Sequence, residues 1–345
     1  TIDGGGGTVM LIQPTSALPP ITDTNTAVDG RTQTAYTGDT NSAVAEITTG
    51  PEVIVDYQRL VTADVILTNA NFTLIDSLGL TRTLNNGTEG VSLGAGVTDA
   101  IVRNNTIWDI GGSGIGILVG ASNNQILDNV VRNAGLDGAS ADGIALDEGN
   151  NNNTISGNQI LASAGYGIDI VPAGASNDNN IITNNLIKGN GISAGVQDAG
   201  IALRNGDDNT ISLNIITANA GEGILVNTGS TGNLISQNAI YNNGTIGIDL
   251  NEFATANGDG VTANDDGDLD TGGNGLLNAP VFLSASIVGS NLLLKGFAPA
   301  GADIELFIAD AGPNPGPGGT DFGEGETYLT TLTEGAASDN DATTG

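Results

Sequence analysis

A two-part repeat constrains this chain more than any other feature. Its first part reads apolar-x-x-Asn-x-apolar, as in Ile155-Ser156-Gly157-Asn158-Gln159-Ile160. Its second reads Gly-Ile-x-apolar, as in Gly167-Ile168-Asp169-Ile170. Asn takes the fourth place at Asn105, Asn129, Asn158, Asn185, Asn214 and Asn238, and the second part opens at Gly114, Gly143, Gly167, Gly200, Gly223 and Gly247. An earlier coil, with Leu78 in the Asn place and Gly90 opening its second part, brings the count to seven between about residues 70 and 250. The base coil is 24 residues, as from Ile107 to Val131. Internal periodicity of this kind outranks every other signal for fold.

Each part is short and places apolar residues two apart, which is the period of a strand with one buried face. No 3.6-residue period appears, so an α-solenoid is excluded. One short strand cannot bury its inner face alone. Stacking coil on coil pairs each strand with its counterpart and piles Ile on Ile. The pairing is parallel, and seven coils at ~4.8 Å each give a rod about 30 Å long. Each Asn is expected at a bend between strands, bonding backbone and the Asn of the next coil in a ladder. The Gly before each Ile is expected to permit a tight corner with positive φ.

These motifs resemble those of right-handed parallel β-helix proteins of the secreted bacterial surface and polysaccharide-associated type, over about residues 65–255. The resemblance implies an all-β right-handed parallel β-helix. For function it is broad, since such proteins include lyases, hydrolases, epimerases, adhesins and structural proteins. Residues 1–64 read as irregular β lead-in coils, and residues 18–33 resemble the lead-in of large surface proteins. The chain begins inside an ongoing pattern, which implies processing or a longer parent chain. Residues 256–275 form an acidic linker. Within 276–345, runs such as Pro280-Val281-Phe282-Leu283 and Ile304-Glu305-Leu306-Phe307 read as strands. They resemble part of an immunoglobulin-like β-sandwich from bacterial surface proteins, with about four strands where seven are usual. An open sandwich edge invites strand addition.

Composition narrows the function classes. Eight Lys and Arg against 39 Asp and Glu give a net charge of −31. That field disfavours nucleic acid, which needs a cationic footprint, and it disfavours anionic membranes. No apolar run approaches the ~20 residues a membrane helix needs. Cys is absent, so there are no disulfides or thiolate metal sites, and absent His removes the commonest general base. These features fit a secreted or cell-surface location.

Local function must lie where coils differ. The residue after the first part forms an outward column, Trp108, Arg132, Leu161, Lys188, Thr217 and Tyr241. Trp108, Arg132, Lys188 and Tyr241 are its candidate ligand-binding residues, suited to an acidic polysaccharide. Two long turns, 133–142 and 189–199, are expected to bring Asp137, Asp142 and Asp198 near Asp147 and Asp169, as a Ca²⁺ site or acid/base pair. Asp207-Asp208 lacks the companion motifs of β-helix pectin hydrolases and reads as a turn. In the linker, alternating Asp266, Asp268 and Asp270 are expected to converge on Ca²⁺. Outward Thr-x-Thr rows of the ice-binding kind are missing. The resulting expectation is a non-enzymatic structural or adhesive segment of a surface protein or filament. It would associate head to tail through open ends or with neighbouring domains. The alternative is a carbohydrate-binding or lyase-like polysaccharide-degrading β-helix.

Overall fold

The computed structural model describes residues 9–31, 51–137, 141–171, 174–193, 198–253, 258–309 and 324–336. Three parallel sheets wrap one core. Sheet A has nine strands and ends at Ala239–Tyr241, while sheets B and C have eight each and end at Ile248–Leu250 and Leu234–Ser236. Each coil runs through sheet C, bends at its Asn, crosses sheet A, turns, and returns through sheet B. Register holds from coil to coil, as in Ile126↔Ile155, Ile155↔Ile182 and Ile182↔Ile211. The lead-in follows the same plan. Met10–Ile12 and Val53–Asp56 join sheet A, Ala27–Asp29 joins sheet C, and Ile21 bridges to Thr68.

The inward residues are aliphatic stacks with no solvent exposure, among them Ile107, Val131, Ile160 and Ile187. Each such burial contributes roughly 1.5–3 kcal/mol. The Asn residues link the coils in a buried ladder. Asn105 Nδ2 donates to Asn129 Oδ1 at 3.0 Å, Asn129 to Asn158 at 3.0 Å, Asn158 to Asn185 at 3.0 Å, Asn185 to Asn214 at 3.0 Å and Asn214 to Asn238 at 2.9 Å. Each Oδ1 also accepts the backbone N–H of the preceding rung, beginning with Leu78 N to Asn105 at 3.0 Å.

Gly before Ile has a different role from the one expected. These glycines do not adopt positive φ. A Cβ at Gly167 would lie 2.5 Å from Ile187 Cγ2 and 2.5 Å from the carbonyl oxygen of Gly200. The constraint is close packing of core and neighbouring coil. Gly167→Ala should therefore destabilise the fold by about 2–3 kcal/mol through overpacking, read from the urea unfolding midpoint. An unchanged midpoint would contradict this packing role.

The C-terminal segment folds back onto the end of the rod. The 3₁₀ turn Gly273–Leu276 packs on the last strand of sheet B, and strand Gly325–Thr333 packs on the last strand of sheet A. Glu305 accepts bonds from Ser236 Oγ and Gln237 N at the end of sheet C, at 2.5 and 2.8 Å. The C-terminal segment thus touches the last strand of each sheet, while Leu234 and Ile248 on two of those strands stay exposed. The four C-terminal strands pair as two separate antiparallel hairpins, Val281–Val288 with Asn291–Phe297 and Asp303–Ala309 with Gly325–Thr333. No ladder joins the two hairpins among the described residues. Phe282, Leu283, Ile287 and Leu292 on the first hairpin stay exposed.

Candidate functional site

Sheet A has an outer face on which the first and third residue of each strand point away from the core. The third residues fall in one strict column, because the strands stay in register: Trp108↔Arg132, Arg132↔Leu161, Leu161↔Lys188, Lys188↔Thr217 and Thr217↔Tyr241. Leu161 and Thr217 are buried, Lys188 is exposed, and Trp108, Arg132 and Tyr241 are half-buried. The indole of Trp108 lies back over Gly79, 3.2 Å from where a Cβ would stand. The first-position residues Val130, Leu186 and Ile215 add aliphatic surface beside the column. Arg31, Arg59, Arg82, Arg103 and Arg204 are all ion-paired. Arg132 and Lys188 have no ion pair among the described residues.

The outer face of sheet B carries what the two long turns were expected to assemble, in part. Asp142 and Asp169 share a side-chain hydrogen bond and are both buried, with Asp147 close enough to feel the charge of Asp169. Asp137 goes elsewhere. Its carboxylate pairs with Arg59 and accepts the Asn85 N–H, because the long turn folds back toward the preceding coils. Asp198 lies against Gly221 and Glu222. Two further partners, which no sequence motif marks, complete the cluster. Arg204 clamps Asp169 through Nε to Oδ1 at 2.8 Å and Nη2 to Oδ2 at 2.5 Å, and its guanidinium carbon stands 5.1 Å from the Tyr166 ring centroid. Tyr166 N donates to Asp142 Oδ1 at 2.8 Å. Arg204 follows Leu203 directly, and Tyr166 precedes Gly167, so coil position was the available signal.

Charge in this face is set by burial. Burial, then the neighbouring Asp169, raises Asp142 well above the usual carboxylate range; burial raises Asp169 too, against the pull of Arg204. Glu89, further along the same face, is pushed up to about 7 by burial and then by Asp64. The folded chain thus holds protons that the unfolded chain releases near pH ~4. Stability must fall as pH rises from about 4 to about 7. Asp56 and Asp76 act oppositely. Burial would raise them, but hydrogen bonds from Arg82 and Gln13, and from Asn104 and Arg103, hold both below the ordinary value. Their contribution is lost below pH ~4. The Tm in chelator should peak near pH 5 and drop by several degrees, on the order of 5 °C, at pH 8. A Tm that rises from pH 5 to 8 would refute this.

The acidic segment forms a three-carboxylate cluster with a change of membership. Ligand oxygens of Asp265, Asp268 and Asp270 lie within 4.8 Å of one another. Asp266 is not among them. Positive φ at Gly267 (+86°) and Asp268 (+53°) breaks the extended alternation and swings Asp265 round in its place. Asp207 accepts the Thr231 N–H at 2.7 Å in a turn. No helix among the described residues is long and apolar enough to cross a membrane.

Residues 81–178 and 173–279, more than half of the chain, match the family described as right handed beta helix region. Among solved structures, the pectate lyase Pel9A is 16% identical, with 68% of this chain and 62% of that one covered and a TM-score of 0.43. An alginate lyase from Paenibacillus sp. str. FPU-7 is 17% identical, covering 68% and 81%, with a TM-score of 0.38. PfbA, a surface adhesin of Streptococcus pneumoniae, is 14% identical, covering 85% and 79%, with a TM-score of 0.38. The chain spans less than two thirds of the length of Pel9A.

Proposed function

The chain belongs to the right-handed β-helix family, and from that premise we propose that it is an extracellular adhesive rod that binds acidic polysaccharide along the outer face of sheet A. The observation that carries this reading is the pair Arg132 and Lys188. In a chain of net charge −31, these cations stand without ion pairs among the described residues, in one column, two coils or ~10 Å apart. Trp108 and Tyr241 flank them, and Val130, Leu186 and Ile215 make the strip beside them aliphatic. A uronic-acid polymer offers matching chemistry. Its ring C–H faces pack on aromatic and aliphatic side chains, and its carboxylates accept from guanidinium and ammonium groups.

The acidic remainder of the surface does not forbid this. At physiological salt the screening length is about 8 Å, so distant carboxylates act weakly on a polymer lying along the strip. Nucleic acid packs charge far more densely along its axis and feels the repulsion more. Asp142 and Asp169 are buried and clamped, which gives them a structural role in this reading. Calcium at the Asp265, Asp268 and Asp270 cluster belongs to the same proposal as a stiffener of the C-terminal segment; Asp268→Asn should then lower the bound calcium by one ion per chain.

Isothermal titration with a short polyuronate tests the binding. Saturable heat is expected, with affinity several-fold weaker in Trp108→Ala. No heat at millimolar polyuronate would remove the proposal.

A further inference from the structure

The outer face of sheet B ends, over the last two coils, in buried oxygens that nothing saturates. Among the described residues, buried side-chain atoms without a hydrogen-bond partner include Asp198 Oδ1, Glu222 Oε2, Thr245 Oγ1 and Asp249 Oδ1. These four belong to one neighbourhood. Glu222 interacts with Thr245 and Asp198, and Asp249 with Glu222. A Cβ placed on Gly258 would lie 2.0 Å from Asp249 Oδ2 and 2.8 Å from Glu222 Oε1, so both carboxylates approach this glycine through one oxygen each. Glu222 is 5% exposed and Asp249 1%.

One oxygen of each carboxylate is already held. Gly258 N donates to Glu222 Oε1 at 3.3 Å, and Gly260 N to Asp249 Oδ2 at 2.8 Å. Among the described residues the other oxygen of each has no well-formed hydrogen bond, with the Thr245 hydroxyl facing Glu222 and the Asp259 carboxyl beside Asp249. Arg204, the cation on this face, is occupied by both oxygens of Asp169. A buried polar atom left bare is destabilising, more so when charged. An oxygen-only set with two carboxylates and a hydroxyl suits a hard divalent cation and nothing softer.

We propose that Glu222 and Asp249, with the Thr245 hydroxyl and water completing the shell, bind one Ca²⁺ that pins the 258–260 turn to the last coil. Asp198 adds negative charge beside it. The consequence is mechanical. That turn leads into the 3₁₀ turn Gly273–Leu276, which closes sheet B. Its Asn274 also ends a ladder by accepting the Asn233 N–H at 3.0 Å. The ion would fasten the cap to the rod, at a site separate from the Asp265, Asp268 and Asp270 cluster and independent of polysaccharide binding.

Calcium titration of the whole chain separates the two sites. Asp268→Asn should retain one Ca²⁺ per chain, and adding Glu222→Gln to it should leave none. Retention of that ion in the double variant, or no ion in Asp268→Asn, would overturn the assignment. Hydrogen exchange in Asp268→Asn keeps the test open if Glu222→Gln does not fold. Millimolar Ca²⁺ should slow exchange of the Gly258 and Gly260 amides at least ~10-fold, as expected when a local opening must release a bound ion. Unchanged exchange would overturn it equally.

Discussion

Asn158→Ala should lower the stability of the rod by about 4 kcal/mol, the largest loss expected from any single truncation of a polar side chain here. Asn158 is fully buried. Its Nδ2 donates to Ile126 O at 2.8 Å and to Asn185 Oδ1 at 3.0 Å. Its Oδ1 accepts Asn129 N at 2.9 Å and Asn129 Nδ2 at 3.0 Å. Truncation strands the Asn129 N–H in the interior and takes one partner each from the Ile126 carbonyl and from Asn129 Nδ2, which keeps the Val102 carbonyl at 2.9 Å. Each bare group costs roughly 1–3 kcal/mol, softened if water enters the space left. Asn185 Oδ1 keeps one bond, from the Asn158 N–H at 2.9 Å, which limits the damage on that side. Because each coil leans only on its neighbours, the loss should appear as earlier unfolding of the coils around residue 158. Urea unfolding with hydrogen exchange reads both the size and the place. A loss under ~1 kcal/mol would show that the ladder is not a main support.

The second large effect is on binding. Arg132→Ala with Lys188→Ala should weaken polyuronate affinity roughly 30-fold, taking about 1 kcal/mol for each partly exposed charge-assisted contact. The Tm should stay within about a degree, because neither cation supports an ion pair among the described residues and surface changes away from such features are near neutral. Loss of affinity with an unchanged Tm separates a binding role from a folding one. The remaining affinity should come from the Trp108 and Tyr241 rings and should depend less on salt.

The rod was legible because its signal repeats. Asn105 and its five counterparts hold one position relative to flanking aliphatics, and the same position in space follows. A second ladder, Asn124, Asn153, Asn180 and Asn209 to Asn233, sits two residues before each first aliphatic. It was equally periodic but lay inside polar turns such as 150–153, where Asn reads as turn chemistry. A third, Asn190 to Asn219 to Asn243, ends on the carboxylate of Glu324, with Asn243 Nδ2 donating at 2.9 Å. That partner lies 81 residues away and outside the repeat, so no spacing announces it.

The site divides along the same line. The order of the sheet A column follows from register alone. Which of its cations lack ion pairs depends on where every acidic side chain lands, and only the folded chain fixes that. Asp142 and Asp169 were legible as neighbours through their offsets from Gly143 and Gly167. Arg204 was not, since its guanidinium arrives from a plain strand end that no motif marks. Asp265 displaced Asp266 because two residues of left-handed backbone interrupt the alternation.

The most direct test of the central claim is affinity electrophoresis of the unsubstituted chain and of the Arg132→Ala, Lys188→Ala double variant through gels cast with a polyuronate or with neutral dextran. The chain should be retarded by the polyuronate alone, and the double variant should need a roughly 30-fold higher polyuronate concentration for the same retardation. Equal mobility of the unsubstituted chain in the two gels, or undiminished retardation of the double variant, would contradict a polysaccharide-binding strip on sheet A.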